Sequence, residues 1–312
     1  MIALLNIAAA MAVLNHAPAA HMAEHRAMAA GPRAPTPAGA IAPAADPLTR
    51  PMTLDRAREW LAPMPPQRIF GRSYLVGFGG LSVVLIDTGA GLVLIDAALP
   101  QAAPAILANV RALGFDPKDI KFILSTEPHY DHAGGLAALA RDTGATVIAS
   151  ARGAEGLRAG AMALDDPQHG YGGTWPRVSR LRIARDGEVI RIGNVAITAH
   201  ATPGHTMGSM SWSWRSCEGG ACKTIMFASS LNPVSAENYR YRAASSAPIL
   251  RGFALSQHRM GRLPCDILIA AHPDNAGEGR YNDRLGACRA YAERSRRLLI
   301  KRLAREQQPA KE

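Results

Sequence analysis

Aromatic residues are scarce in this 312-residue chain, at 5% of the total, so Ala, Val, Leu and Ile must fill its core. A broad aromatic surface for stacking nucleobases is thereby disfavoured. There are only four cysteines, and no pair has the short C-x2-C spacing of a cysteine-based zinc site. No apolar run approaches the ~20 residues that a spanning helix needs. No fixed repeat of about 20 to 50 residues is visible, which excludes solenoids and propellers. Acidic residues are also in deficit, 25 Asp+Glu against 35 Lys+Arg, for a formal charge of +10. Such a balance fits phosphate binding, a solubilising surface or charge gathered in one segment.

What is present is a 48% apolar chain, long enough for one large domain or two small ones. Its first 19 residues read as a secretory signal peptide. An apolar stretch from Ile2 to Leu14, broken only by Asn6, precedes the small-x-small pattern Ala17-Pro18-Ala19, although no Lys or Arg stands before it. Residues 20–52 are rich in Ala and Pro and read as an extended linker, which leaves His16, His21 and His25 without a rigid frame. The folded domain is expected over 53–312, opening with a short helix over Leu54 to Ala62.

From Ile69 the pattern becomes one of buried strands: Tyr74 to Val76, Val83 to Asp87, a Thr-Gly-Ala-Gly turn, and Leu92 to Asp96. A helix from Gln101 to Leu113, a strand from Lys121 to Ser125, a helix from Ala133 to Arg141 and a strand from Thr146 to Ala149 follow, an α/β alternation. Beyond a Gly-rich loop at His169 to Gly173, strands are predicted over Glu188 to Ile192, Val195 to Ala199, Ser209 to Trp214 and Lys223 to Phe227. The chain then closes with a helix from Pro248 to Met260, a strand from Asp266 to Ala270 and a helix from Tyr281 to Ala304.

Chemistry concentrates where the Lys121 to Ser125 strand ends. In Thr126-Glu127-Pro128-His129-Tyr130-Asp131-His132-Ala133-Gly134-Gly135, four metal-ligating side chains fall within six residues of a strand-to-helix loop, where backbone turns can aim them together. His205, in Thr202-Pro203-Gly204-His205-Thr206, and His272, in Ala271-His272-Pro273, also stand at strand ends beside Gly or Pro and complete the constellation. His169, His200 and His258 have no motif around them and read as structural or exposed.

These residues resemble the metallo-β-lactamase superfamily, whose motif is His-x-His-x-Asp-His with later histidine ligands, over about Gln67 to Arg302. The resemblance is strongest to the third subclass of class B enzymes (subclass B3), because Ser230 stands where lactonases, glyoxalase-type hydrolases and metallo-nucleases carry a metal-bridging Asp. It implies a four-layer αββα sandwich and two zinc ions. One would be held by Glu127, His129 and His205, the other by Asp131, His132 and His272. It further implies hydrolysis of β-lactam amide bonds by a metal-activated hydroxide that Asp131 helps to orient. Lactone hydrolysis, alone or alongside lactam hydrolysis, is the alternative, and a nucleic-acid-acting metallo-hydrolase is a weaker one.

Glu127 departs from the family, which usually has His at that position. Glu is itself a competent zinc ligand. With two anionic side chains where the usual site has one, lower Lewis acidity, a higher pKa of bound water and zinc loading more sensitive to supply and pH are expected. Ser230 and Asn232 are candidates for the substrate carboxylate, and Tyr171 and Trp175 for its apolar side.

The even cysteine count in an exported chain favours two disulfides. Cys217 and Cys222 bracket a turn, while Cys265 and Cys288 would tie the final helix to the strand of His272. Export implies a periplasmic enzyme, expected to be monomeric, acting on a small molecule, binding no nucleic acid and not spanning a membrane. The charge agrees: residues 280–312 hold ten Lys+Arg and four Asp+Glu, and the first fifty hold three and two, leaving only +3 for residues 51–279. The basic residues then form the solvated side of a final helix whose Leu285, Cys288, Ala292, Leu299 and Leu303 share one face.

Overall fold

The computed structural model describes residues 46–277 and 279–307. The signal peptide (1–19) and residues 20–45 of the expected linker lie outside the described residues, as do His16, His21 and His25.

Two sheets carry the fold. The first has seven strands in chain order: β1 (Gln67–Phe70), β2 (Ser73–Leu75), β3 (Val84–Asp87), β4 (Leu92–Ile95), β5 (Ile120–Leu124), β6 (Thr146–Ala149) and β7 (Leu181–Ile183). Pairing is antiparallel through β4 and parallel beyond it. The second sheet contains β8 (Val189–Ile192), β9 (Val195–Ala201), β10 (Met210–Glu218), β11 (Ala221–Ala228) and β12 (Ile267–Ala270), antiparallel except for the parallel pair β11 and β12.

The β3 and β4 runs are apolar without alternation because both faces are covered. Val84, Ile86, Val93 and Ile95 face the second sheet, packing with Ile197, Trp212, Phe227 and Ile269. Leu85 and Leu94 face the other way, towards Ile106, Leu107 and Val110 of α2 (Ala103–Ala112) and Leu136 and Leu139 of α4 (Leu136–Thr143). Outside the second sheet, Met226, Leu268 and Ala270 pack on Cys288, Tyr291 and Ala292 of α7 (Ala287–Arg305), and Met260 of α6 (Ala247–Met260) joins them. Helix, sheet, sheet, helix is the four-layer α/β sandwich that the sequence implied.

Several elements differ from expectation. Packing begins at Asp46 rather than Thr53: both carboxylate oxygens of Asp46 accept from Arg141, and the backbone of Met52 exchanges hydrogen bonds with the Gln101 amide. A helix absent from the sequence reading, α5 (Ala151–Ala159), follows β6. Its Gly153 and Gly156 lie against the Gly208 carbonyl and the Pro128 ring, where a side chain would crowd them. The final helix starts six residues late, because Gly286 is left-handed at φ 83°. Leu285 therefore lies before the helix and is 99% exposed rather than on its buried face, whereas Cys288, Ala292 and Leu299 are buried there.

Both disulfides form. Cys217 and Cys222 face each other across the β10–β11 hairpin, and Cys265 is bonded to Cys288 on α7. The second closes a sequence separation of 23 residues against five for the first. Replacing Cys265 and Cys288 by Ser is expected to lower the unfolding free energy by about 3 kcal/mol in urea. The Cys217/Cys222 double variant should lose less, since strand register already closes that loop; the reverse ranking would contradict this account.

Candidate metal centre

Every candidate ligand stands at a strand end on one edge of the sandwich. β5 ends at Leu124 and the chain turns through Ser125 to Pro128 into the single helical turn α3 (Tyr130–Ala133), which carries Asp131 and His132. The two sheets are laced at this turn: Met210 N donates to Thr126 O at 2.7 Å and Trp212 Nε1 to Ser125 O at 3.2 Å. Gly134 and Gly135 follow because the turn presses on the strand beside it. A Cβ at Gly135 would lie 2.4 Å from the Ala97 carbonyl oxygen, and one at Gly134 would lie 2.4 Å from Pro100 Cδ.

Six side chains gather into two adjoining groups, Glu127 with His129 and His205, and Asp131 with His132 and His272. Within each group the ligand atoms lie within 4.8 Å of one another, close enough to hold a metal ion. This is the partition that the sequence implied.

Each histidine spends one ring nitrogen on a protein oxygen and aims the other inward. His132 Nδ1 lies 3.3 Å from Asp96 Oδ2, His129 Nε2 3.1 Å from Asp166 Oδ2, His205 Nδ1 2.8 Å from Asn232 O, and His272 Nδ1 3.2 Å from Gly80 O. Fixing the outer nitrogen sets the ring orientation and the tautomer that a metal requires. His132 Nε2 and His272 Nε2 then approach to 3.1 Å. This donor chemistry fits two zinc ions: four imidazoles and two carboxylates, three donors each, with room for further ligands.

Inside the metal-free centre the Glu127 and Asp131 carboxylates face the His132 ring. Burial opposes an imidazolium at His132, but the Asp131 and Glu127 carboxylates, with the hydrogen bond to Asp96, hold its pKa well above the ordinary 6.5 in the metal-free protein. Burial likewise opposes ionisation of Glu127 and Asp131, yet His132 is the main neighbour holding each below the usual carboxylate range. His205 is pushed down by burial and is a neutral ligand at pH 7. A raised pKa means that the His132 contribution to stability is complete below the ordinary 6.5 and is lost as pH rises towards the raised value. Metal-free protein should therefore be weaker in urea at about pH 9 than at about pH 6.5, a loss that zinc-loaded protein should not share because its ligand is already deprotonated. A flat profile for the metal-free form would contradict this charge assignment.

His129, Asp131, His205 and His272 floor a cavity of about 280 Å³, with Glu127 and His132 behind them. Tyr171, 58% exposed, and Asn232 line it, as the sequence reading expected. Asn232 Oδ1 is buried there with no protein partner. Two expectations are corrected. Trp175 is only 4% exposed and packs in the core between the first sheet and its helices, because its backbone N–H turns inward to Gly160 O. Ser230 is buried with both donors committed: its Oγ donates to Glu127 Oε1 at 2.7 Å and its N–H to Oε2 at 3.1 Å. It holds the Glu127 carboxylate and does not line the cavity.

Several participants had no signal in the sequence. Asp96, left-handed at φ 63°, accepts from Thr126 N and Oγ1 as well as facing His132. Gln168 sets its amide nitrogen 3.2 Å from His205 Nε2 and 3.4 Å from His129 Nδ1. Arg56 and Trp60 of the opening helical segment form part of the wall, with the Trp60 ring 5.7 Å from that of His272. His169, His200 and His258 belong to neither group.

Comparison with known proteins agrees with this geometry. Residues 75–213 match the family model of the metallo-beta-lactamase superfamily. A structure described as the first B3 metallo-β-lactamase with an active-site glutamic acid is 76% identical, covers 85% of this chain and 100% of its own, and superposes with a TM-score of 0.84. BJP-1, a subclass B3 enzyme of Bradyrhizobium japonicum, is 29% identical over 80% of this chain and 98% of its own, with a TM-score of 0.73. Among curated sequences, a hydroxyacylglutathione hydrolase of Anaeromyxobacter dehalogenans is 34% identical over 131 residues, 42% of this chain and only 40% of that protein. With its fold, its paired ligand groups and these relatives in agreement, the chain belongs to the metallo-β-lactamase superfamily, on the subclass B3 branch in which glutamate replaces the first motif histidine.

Proposed function

We propose that this protein is a zinc-dependent hydrolase of β-lactam amide bonds. The observation that carries the reading is the pair of three-donor groups, each histidine braced from outside, on the floor of an open cavity. Zinc in such a centre supplies Lewis acidity for a carbonyl oxygen and makes a coordinated water acidic enough to attack at neutral pH.

The chain supplies the rest. Glu127, His129 and His205 would hold the first ion and Asp131, His132 and His272 the second. Asp131 remains an anion, with Oδ2 3.3 Å from His272 Nε2 and 3.5 Å from His132 Nε2, and is placed to accept a hydrogen bond from the attacking water and orient it. Asn232 and the exposed face of Tyr171, both on the cavity wall, are placed to receive the substrate. No side-chain nucleophile is needed.

Two disulfides favour an oxidising compartment, which supports export to the periplasm. No helix among the described residues is long and apolar enough to cross a membrane.

The test is turnover of penicillin, cephalosporin, carbapenem and acyl-homoserine lactone panels before and after chelation. Lactam hydrolysis that falls to background with chelator and returns with zinc is expected. Lactone turnover without lactam turnover, or turnover indifferent to chelator, would overturn the reading.

A further inference from the structure

Helix α7 reaches the first ligand group without touching it. β11 leaves its partner strand after Ala228, so the carbonyls of the next residues have no ladder to join. Tyr291 and Ser295, one turn apart on α7, take them up: Tyr291 Oη donates to Ser229 O at 2.7 Å and Ser295 Oγ to Leu231 O at 2.5 Å. These carbonyls flank Ser230, whose N–H and hydroxyl occupy both oxygens of Glu127. One residue further on, Asn232 O fixes His205 Nδ1. Four consecutive residues thus transmit the position of α7 to two of the three members of the group. The Ser295 hydroxyl is in turn oriented by Gln257 Nε2 of α6, at 3.0 Å. Tyr291 and Ser295 are both buried and neither lines the cavity.

We propose that Tyr291 and Ser295 are positioning residues for the first metal ion, acting through residues 229–232. The inference rests on the reading that Glu127, His129 and His205 bind zinc. Its physical basis is the flexibility of glutamate. A Glu side chain has three rotatable bonds, one more than His, and more rotamer freedom to lose on being fixed. Glu127 is pinned at both oxygens by Ser230, so its placement is only as firm as the backbone on either side of that serine. Removing an α7 hydroxyl also leaves a buried carbonyl without its donor, which the loop can relieve only by shifting.

The test is equilibrium titration of metal-free Tyr291→Phe and Ser295→Ala with zinc under chelator competition, repeated with cobalt to follow ligand-field bands. First-site affinity should fall about tenfold, the lower end expected for an outer-shell partner, while second-site affinity holds. Ser295→Thr, which keeps the hydroxyl, should restore the parent value. In a Glu127→His background, where the pinned carboxylate is gone, the Tyr291→Phe effect should shrink. Equal loss at both sites, no loss at either, or an undiminished effect in the Glu127→His background would overturn the proposal. If Tyr291→Phe fails to fold, the Ser295 pair decides alone. Failure of the parent protein to bind two zinc ions would instead overturn the functional reading on which the proposal stands.

Discussion

Asp131→Asn is expected to lower kcat for β-lactam hydrolysis by about 10²–10⁴-fold, the range seen when a group handling the transferred proton is lost. The substitution keeps side-chain shape and removes only the charge. That charge does two things. It is the one anion in the second ligand group, and it faces His132 and His272 across 3.5 and 3.3 Å. A neutral amide retains one acceptor oxygen but binds the metal more weakly and accepts a weaker hydrogen bond from water. Zinc content must be measured in the same samples, so that lost metal is separated from lost orientation. At full zinc occupancy the deficit should persist; recovery to within about tenfold of the parent under saturating zinc would assign Asp131 to metal retention alone.

Asp96→Asn is expected to weaken the second metal site by about 10–100-fold while leaving the fold intact. Asparagine tolerates the left-handed backbone at φ 63° and can still accept from Thr126 N, so neither strain nor a newly orphaned amide confuses the outcome. The change falls on His132. Its Nδ1 loses a carboxylate partner at 3.3 Å, and the ring becomes both less basic and freer to rotate. Competition with a chromophoric chelator reads the affinity, and far-UV circular dichroism of the metal-free protein checks that the fold survives, since its urea stability should fall with the lost partner of His132. Unchanged second-site affinity would show that packing alone fixes His132.

These two aspartates differ in how visible they were. Asp131 belongs to a run of four ligands in six residues, a density that few other roles explain. Asp96 merely ends an apolar strand, and nothing local separates it from a turn residue; its role exists only because β4 and β5 pair in parallel and bring it beside Thr126. Asp166, Gln168, Arg56 and Trp60 were illegible for the same reason, being delivered by loops whose paths depend on the assembled sheets. The strands themselves were readable, since apolar runs such as Leu92 to Ile95 are buried on both faces. Short elements such as β7 were not, having three residues of which two are exposed. The Gly-rich segment suggested an open loop that would display both Tyr171 and Trp175. The chain instead turns back under Gly160, which leaves the tyrosine outside and carries the tryptophan inward.

The sequence offered Ser230 to a substrate carboxylate, whereas its hydroxyl and N–H are both committed to Glu127. Where a bridging aspartate would add a metal ligand, this serine disciplines the glutamate that replaces a histidine. The two residues are coupled by contact in this chain, and a Ser230 substitution should matter more beside Glu127 than beside a histidine.

The six ligands also come from both sheets: Glu127, His129, Asp131 and His132 follow a strand of the first, His205 and His272 strands of the second. A metal ion held by each group would therefore clasp the open edge of the sandwich, binding only while the two halves are closed. At free zinc one hundred times its dissociation constant, each site would add about 2.7 kcal/mol to the closed form. Zinc scarcity would then remove the enzyme as well as its activity, because a chain that opens more often at that edge is cleared faster by proteases.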